Sequence, residues 1–537
     1  MKNKTLINKL TRGLSFMVSF LAPSFILLLP VVNAASYYQY SFLSPEILAI
    51  LAIVFGLGLC TSIIISLGRT KKLFVTIVIS ILLTFSLVIQ LDPSIYNALN
   101  IFMLSLLICY FLGENALIIL GFSTGIMLIS SFFVTKDDKI MYTAKHAAQN
   151  LPPFIHIILD EHIGINGITQ NLPEGRELKK ELVNFYQKYG FSVYENAYSH
   201  YNKTINSLTA EFNFNTADFD YYHNDFYNFM AKKKHRVKAS YLDKLQDLGY
   251  NLSIYQSDYL DFCHEVAARS SCTTYPVVNL KLIEKSSLPF YVKIENLLAV
   301  LIRQSTVISS GYRLLTNFFG IDYLRYLVSP NVNISALDSI SNEASSNNKG
   351  VAYIAHVFAP HYPYQYDENC ELVHEVIDYQ LPRGIINNEK AQVRRQKNYF
   401  KQVRCVYKKL EQLLGSLQNS GILANSIVII QGDHGSRISA NSLILKDNLS
   451  NLADITSDEI TNHYSTLYAV KMPNYNLLAN NDLLPLEVLL AQSLNQALHT
   501  NIKVPKDFPF IYLRTNSSRL YKLYIKNNSF LNSDLAM

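Results

Sequence analysis

The sequence predicts a membrane-anchored α/β protein: an N-terminal bundle of about five transmembrane helices, then an α/β domain with a mostly parallel central sheet. Three observations carry this expectation. The first 135 or so residues are dominated by Leu, Ile, Phe, Val and Ser, while nearly all Asp, Glu, Lys, His and Asn lie beyond them. Apolar runs in that first stretch approach the length of about 20 residues that crosses a bilayer as a helix. Past them, short apolar runs alternate with longer amphipathic ones, the pattern of strands joined by crossover helices. A chain of 537 residues has room for both parts.

The apolar runs are Leu14–Val32, Ile47–Leu67, Leu73–Leu91, Leu99–Leu112 and Ala116–Val134. The fourth is the weakest. It carries Cys109 and Tyr110 and ends near Gly113-Glu114-Asn115, so it reads as a short span or as half of a tight hairpin with the fifth. Lys2, Lys4, Lys9 and Arg12 precede the first run, and Arg69, Lys71 and Lys72 lie between the second and third. Basic clusters stay on the cytoplasmic side, so five crossings put residue 136 onward outside. A competing reading takes residues 1–34, ending Val32-Asn33-Ala34, as a cleaved signal peptide. The apolar part is long for that, and a cleaved chain with four remaining crossings still ends outside. The expected location is the cytoplasmic (inner) membrane, multi-pass, with the large domain on the outer or periplasmic side.

The formal net charge of +6 is modest for this length and makes no case for nucleic acid. The stretch Lys232 to Arg236 reads as a solvated loop. Cys60 and Cys109 fall in apolar runs, leaving Cys263, Cys272, Cys370 and Cys405 in the polar part. An even set outside the cytoplasm reads as two disulfides, with three connectivities open. The spacing matches no zinc knuckle.

In the polar part, residues 136–150 form a connector. Phe154 to Leu159, Leu252 to Tyr255, Val351 to Phe358 and Ile427 to Ile430 read as strands, and Glu177 to Tyr189 and Val393 to Leu417 as helices. Residues 281–346, rich in Leu, Val and Tyr, read as a helical insertion forming a cap or a membrane-facing lid. The domain boundaries are then 1–135, 136–150, 151–515 and a tail at 516–537.

Two of these strands end in candidate chemistry. The first is followed by Asp160-Glu161-His162 and the last by Gln431-Gly432-Asp433-His434-Gly435. Ligands of open parallel sheets bind at the carboxyl ends of strands, so these groups meet in one crevice if the strands are parallel. Carboxylates with an imidazole suit a hard or borderline divalent cation. Each motif alone is also compatible with an ordinary strand-end turn.

Between them lies Asn196-Ala197-Tyr198-Ser199, then Lys203-Thr204 with Ser207 three positions on; later come His356 and His361 in a His-Val-Phe-Ala-Pro-His-Tyr-Pro-Tyr run. Over roughly residues 150–475 this ordered set resembles the alkaline phosphatase and sulfatase superfamily, within it the membrane-anchored branch of lipoteichoic acid synthases and phosphoethanolamine transferases. The resemblance implies an alkaline-phosphatase-like α/β domain and one divalent metal ion, Zn or Mn, held by Asp160, Glu161, Asp433 and His434. It implies Thr204 as a nucleophile that carries the phosphoryl group covalently, activated by the neighbouring cation. His361 takes the family's substrate-side position, suited to hold a non-bridging oxygen or to protonate the leaving group. His356 is expected as a packed core residue, His463 as a lesser candidate, and Arg437 as a contact for the substrate anion or a loop closure; Lys203 reads either as a second positive charge beside Thr204 or as an exposed lysine, and His162 has no assigned part.

Nothing near Thr204 provides the Cys-x-Pro-Ser-Arg context that sulfatases convert to formylglycine, which disfavours sulfate ester hydrolysis. The implied activity is a phosphotransferase that moves a phosphorus-containing head group from a membrane lipid donor to an envelope glycan or lipid acceptor. The alternatives are an extracytoplasmic phosphodiesterase or phosphatase using the same intermediate, or a catalytically silent envelope scaffold.

Overall fold

The computed structural model describes residues 2–68, 70–91, 94–113, 115–131, 139–141, 151–216, 235–236, 240–257, 259–263, 270–275, 280–303, 309–312, 314, 334–346, 349–362, 364–373, 389–438, 443–446, 452–473, 482–503, 506, 509–515, 520–525 and 535–536. The chain divides into two compact units, Met1–Lys136 with Asn279–Val328, and Asp137–Val278 with Ser329–Met537.

The first unit contains α1 (Lys2–Tyr37), α2 (Pro45–Leu67), α3 (Lys72–Leu91), α4 (Ile95–Leu112) and α5 (Asn115–Ser131). All five expected helices form. Gly13–Tyr37, Pro45–Leu67 and Lys72–Ile89 are each long and apolar enough to cross a membrane, whereas Tyr96–Leu112 and Asn115–Ser131 qualify only together, bent by 118°. The pair is therefore a broken span or a re-entrant hairpin. Between apolar helices there is no water to displace, so contacts rest on close packing and hydroxyl bonds. Ser24 Oγ donates to the Phe55 carbonyl at 3.1 Å, and Ser62 Oγ to the Phe20 carbonyl at 2.5 Å, fastening α1 to α2.

The insertion expected at 281–346 divides. Its first part, including the helices Leu280–Lys285 and Phe290–Arg303, belongs to the membrane-helix unit, while Ala336–Ser346 belongs to the second unit. Apolar spacing alone does not distinguish a helix that packs on a sheet from one that packs on a membrane helix.

The second unit is built on a sheet of eight strands: β1 (Lys139–Met141), β2 (Phe154–Leu159), β3 (Ser192–Val193), β6 (Asn251–Ser257), β8 (Ser270–Tyr275), β9 (Val351–Val357), β10 (Ile427–Gly432) and β12 (Tyr468–Lys471). Their order is β1-β8-β6-β9-β2-β10-β12-β3. The five strands from β8 to β10 run parallel; β1 and β12 run against them at the two sides, and β3, paired antiparallel with β12, runs with them at the edge. Every residue of β2 and β10 is buried, as expected of parallel strands covered on both faces. Helices Pro173–Lys188 (α6) and Glu389–Asn419 are among those that cover the sheet, the latter burying Tyr399, Phe400, Val403, Val406, Leu410 and Leu413.

Smaller pairings complete this unit: β4 (Ala197–Tyr198) with β13 (Leu484–Pro485), β5 (His235–Arg236) with β7 (Leu260–Asp261), and β11 (Ile444–Leu445), β14 (Phe510–Thr515), β15 (Leu520–Ile525) and β16 (Leu535–Ala536) as a four-stranded sheet. Residues 516–537, expected as a tail, thus supply β15 and β16, because alternate residues such as Leu523 and Ile525 bury into an apolar cluster with Ile511 and Leu513. The expected connector 136–150 contributes β1 to the main sheet, and residues 142–150 lie outside the described residues. So does 217–234, with most of the Lys232–Arg236 stretch. The disulfides are Cys263–Cys272 and Cys370–Cys405, which selects one of the three connectivities.

Candidate active site

Register brings the acidic residues together. Leu159 of β2 pairs with Gly432 of β10 on one side and with Val357 of β9 on the other. The three strands end level, so Asp160 after β2 and Asp433 after β10 emerge side by side at the carboxyl edge. Asp160, Asp433 and His434 are buried, with one potential ligand atom from each lying within 4.8 Å of the others. The glycines framing Asp433-His434 answer to crowding: a Cβ on Gly432 would stand 2.4 Å from the His162 carbonyl oxygen, and one on Gly435 2.3 Å from that of Asn462.

Thr204 is the first residue of α7 (Thr204–Phe212), preceded by Lys203 in extended conformation. Its Oγ1 lies 3.4 Å from both carboxylate oxygens of Asp160 and 3.3 Å from Nε2 of His434. The partial positive charge of a helix N-terminus favours negative charge at this oxygen. One turn further on, Ser207 Oγ donates to the Asp433 carbonyl at 2.5 Å, with Ser199 Oγ 2.7 Å behind it. The hydroxyl pair thus ties the Thr204 helix to the Asp433 loop.

The donor set fits a divalent cation. Asp433 Oδ1 accepts the amides of Glu161 and His434 at 2.9 and 2.8 Å, but Oδ2 has no hydrogen-bond partner and faces His434 Nε2 at 3.3 Å. His434 Nδ1 donates to the Gly435 carbonyl at 2.9 Å, which leaves the Nε2 lone pair for a ligand. Burial pushes the Asp433 carboxyl well above its ordinary range, and the charge of Asp160 adds to this. For Asp160, burial is outweighed by the imidazoles of His361, His356 and His434, which hold it below. Burial and then the Arg437 charge lower His434 to about 3, keeping it neutral. Two close carboxylates and a neutral imidazole in a dry pocket are poorly matched to one another and well matched to a hard or borderline cation.

Glu161, expected as a further ligand, is committed elsewhere. Its backbone turns through a positive φ of 62°. Its Oε1 accepts from Arg437 Nε at 2.7 Å and from Arg437 Nη2, its Oε2 accepts the Tyr362 amide at 3.0 Å, and His361 Nε2 stands 3.6 Å away. Arg437 also donates through Nη1 to the Asn202 carbonyl at 3.3 Å, reaching the loop that enters α7. Burial would raise the Glu161 carboxyl, but the Arg437 guanidinium, then His361, hold it below its usual value. Arg437 is therefore an internal counter-ion as well as a loop closure.

His361 is the partly open imidazole of the group, with a side chain 22% exposed and Nδ1 donating to the Tyr362 carbonyl. His356, expected in the core, is buried with Nε2 3.5 Å from Asp160 Oδ2. His463 lies in the helix Ser457–Tyr464, its Nδ1 donating to the Glu459 carbonyl at 2.8 Å and its own carbonyl accepting the Gly435 amide at 3.1 Å. His162 donates through Nδ1 to the Ile163 carbonyl at 2.8 Å and packs its ring on Tyr407. Two supporting residues escaped the sequence reading. Tyr399 OH accepts the Ile163 amide at 3.0 Å and donates to the Glu161 carbonyl at 2.9 Å; Gln402 donates to the carbonyls of Pro360 at 3.0 Å and His361 at 2.8 Å. Their signal is slight: polar residues three apart on the buried stripe of the Glu389–Asn419 helix.

The fold and this cluster define an α/β protein with a candidate metal centre, facing a threonine, at the carboxyl edge of a parallel sheet. The chain belongs to the sulfatase family, whose model matches residues 186–458. No curated protein matches it. Among solved structures it is similar to the lipoteichoic acid synthase LtaP from Listeria monocytogenes (14% identity, 73% of this chain and 86% of that one, TM-score 0.39). It is similar also to the C-terminal periplasmic domain of EcEptC from Escherichia coli, in a complex with Zn (10%, 72% and 94%, TM-score 0.38), and to the phosphonate monoester hydrolase SpPMH from Silicibacter pomeroyi (12%, 68% and 80%, TM-score 0.35).

Proposed function

We propose that this chain is a metal-dependent phosphotransferase that moves a phosphorus-containing head group from a membrane lipid to an envelope glycan or lipid through a phospho-Thr204 intermediate. The observation that supports it most is the Thr204 hydroxyl at 3.3–3.4 Å from Asp160 and His434, at the start of a helix. A divalent ion such as Zn or Mn, held by Asp160, Asp433 and His434, would supply positive charge that favours an ionised Thr204 and spreads the charge of the phosphoryl oxygens.

The chain's own groups divide the remaining work. Thr204 gives up its proton toward Asp160, whose carboxylate it faces, and its oxygen forms a bond to phosphorus. The bond from phosphorus to the lipid alcohol breaks, and the departing oxygen takes a proton from His361 Nε2, which stands 3.6 Å from the Glu161 carboxylate. The head group is then esterified to Thr204. In the second half the acceptor hydroxyl passes its proton to His361, its oxygen bonds to phosphorus as the bond to Thr204 breaks, and Thr204 takes its proton back from Asp160, restoring the starting state. A three-residue ligand set and a Thr in place of a formylglycine precursor favour phosphoryl over sulfate transfer.

The test is incubation of the full-length protein in membranes with a head-group-labelled phospholipid. Label arriving on a glycan or lipid acceptor supports transfer, whereas release only as a water-soluble product replaces it with a phosphodiesterase. Thr204→Ala is expected to lose label transfer by a factor of about 10³ or more, as for loss of a covalent nucleophile, while still binding Mn. Undiminished transfer removes Thr204 from the mechanism.

A further inference from the structure

The helix Phe290–Arg303 lies in the sequence between strands of the second unit, yet it packs on α2 and α1 of the membrane-helix unit. Its attachment is at one end of α2. Lys293 Nζ stands 3.7 Å from Glu46 Oε1 in the first turn of α2, with both side chains largely buried, and donates to the Glu284 carbonyl at 2.9 Å. The Ser41 amide donates to Glu284 Oε2 at 3.2 Å. This is the end of α2 opposite its basic Arg69, Lys71 and Lys72 loop, where an apolar helix meets the membrane boundary.

At about 100° per residue the helix sorts into two faces. Val292, Asn296, Leu297, Ala299 and Val300 occupy the buried one. The other carries Phe290, Tyr291, Ile294, Leu298, Leu301 and Ile302 within an arc of about 120°, with Phe290 49%, Tyr291 55% and Leu298 38% exposed. In water an apolar stripe of this kind is costly. Fourteen residues are too few to cross a bilayer and fit a segment lying at its surface.

We infer that the Phe290–Arg303 helix is a membrane-surface helix whose Phe290/Leu298 face docks into lipid. The occupant follows from continuity. The helix is fastened to α2, whose own exposed Leu48, Ile53, Leu57, Ile63 and Ile64 are lipid-facing if α2 crosses the membrane, and the aromatic residues at its start suit the headgroup level. The inserted segment would then anchor the chain to the bilayer at a point far from its N-terminal helices in sequence. The inference is independent of the reaction assigned to the other unit.

The chain contains no Trp, so Leu298→Trp introduces a single fluorescent reporter. The full-length variant is reconstituted into phosphatidylcholine vesicles with and without bromine on the acyl chains. Blue-shifted emission, quenched about twofold or more by the brominated lipid, is expected for a helix seated at the acyl boundary. Emission typical of water without quenching overturns the inference. Blue-shifted emission indifferent to bromine overturns it too, because the face is then covered by protein, a second copy included. Phe290→Trp, on the same arc, is the second reporter should Leu298→Trp fail to fold, and is read by the same outcomes.

Discussion

Glu161 and Arg437 both hold positive φ, 62° and 51°, a conformation that costs non-glycine residues of order 1 kcal/mol or more and persists only where surroundings enforce it. The enforcement is mutual. Glu161 is nearly fully buried and Arg437 keeps an edge in solvent, so each turn is held by the ion pair that the two turns create. Arg437→Met is expected to destabilise the purified protein by about 2–3 kcal/mol, below the full figure for a broken buried pair because of that solvent edge. Adding Glu161→Gln should recover a large part, since the stranded carboxylate is then gone. Thermal melting of the wild type, both singles and the double variant checks this, and additive losses would mean the pair is not coupled. The pair was not legible in the sequence. Asp160, Asp433 and His434 could be expected to meet because strand ends in a parallel sheet converge, and Thr204 joined them only through the family resemblance, whereas the direction of the Glu161 side chain depends on one backbone torsion that no spacing encodes. Arg437 read equally well as an anion contact.

Among elements, α7 and β10 carry Thr204 and Asp433, and a second bond joins them deeper in the core. Gln431 Nε2 donates to Glu211 Oε1 at 2.7 Å. Burial raises the Glu211 carboxyl from its ordinary 4.5 to about 8, with Glu487 nearby adding to this against the Gln431 bond. Between those values the folded chain keeps a proton that the unfolded chain has released. The unfolded state therefore binds fewer protons, and stability falls as pH rises through this window. Glu211→Gln removes the effect, so the variant should gain on the wild type between pH 5 and 8 by on the order of 2–4 kcal/mol. Parallel pH profiles of melting temperature for the two proteins would show that Glu211 does not titrate in that range. The strands, the α6 helix and the Glu389–Asn419 helix were readable from period and length. Tyr399 and Gln402 were not, because two polar residues on a long amphipathic helix look like solvent-facing ones until the carbonyls they serve are placed. The end strands β15 and β16 were missed for a similar reason: Leu520 to Ile525 is a short alternating run beyond the region that carried any motif.

At the scale of the whole molecule the open question is one of parity. Three helices are each long and apolar enough to cross a membrane, and α4 with α5 qualifies as a bent pair. If the pair crosses twice, or dips and returns, the residues after α5 emerge opposite the N-terminus; if it makes one crossing, they emerge on the same side. By the charge rule the basic Lys2, Lys4, Lys9 and Arg12 predict a cytoplasmic N-terminus. Disulfides persist in oxidising compartments, so Cys263–Cys272 and Cys370–Cys405 favour an odd number of crossings. Charge and cysteines thus predict a parity that apolar length alone does not. Ser420 is exposed at the end of the Glu389–Asn419 helix, and Lys71 is exposed in the loop before α3. In right-side-out membrane vesicles a membrane-impermeant maleimide is expected to label Ser420→Cys and to spare Lys71→Cys, with the pattern reversed in inside-out vesicles. The native cysteines give little background, two being in apolar helices and four in disulfides. Labelling of both engineered positions from the same face would mean an even count, with the bent pair acting as one crossing and the candidate active site facing the cytoplasm.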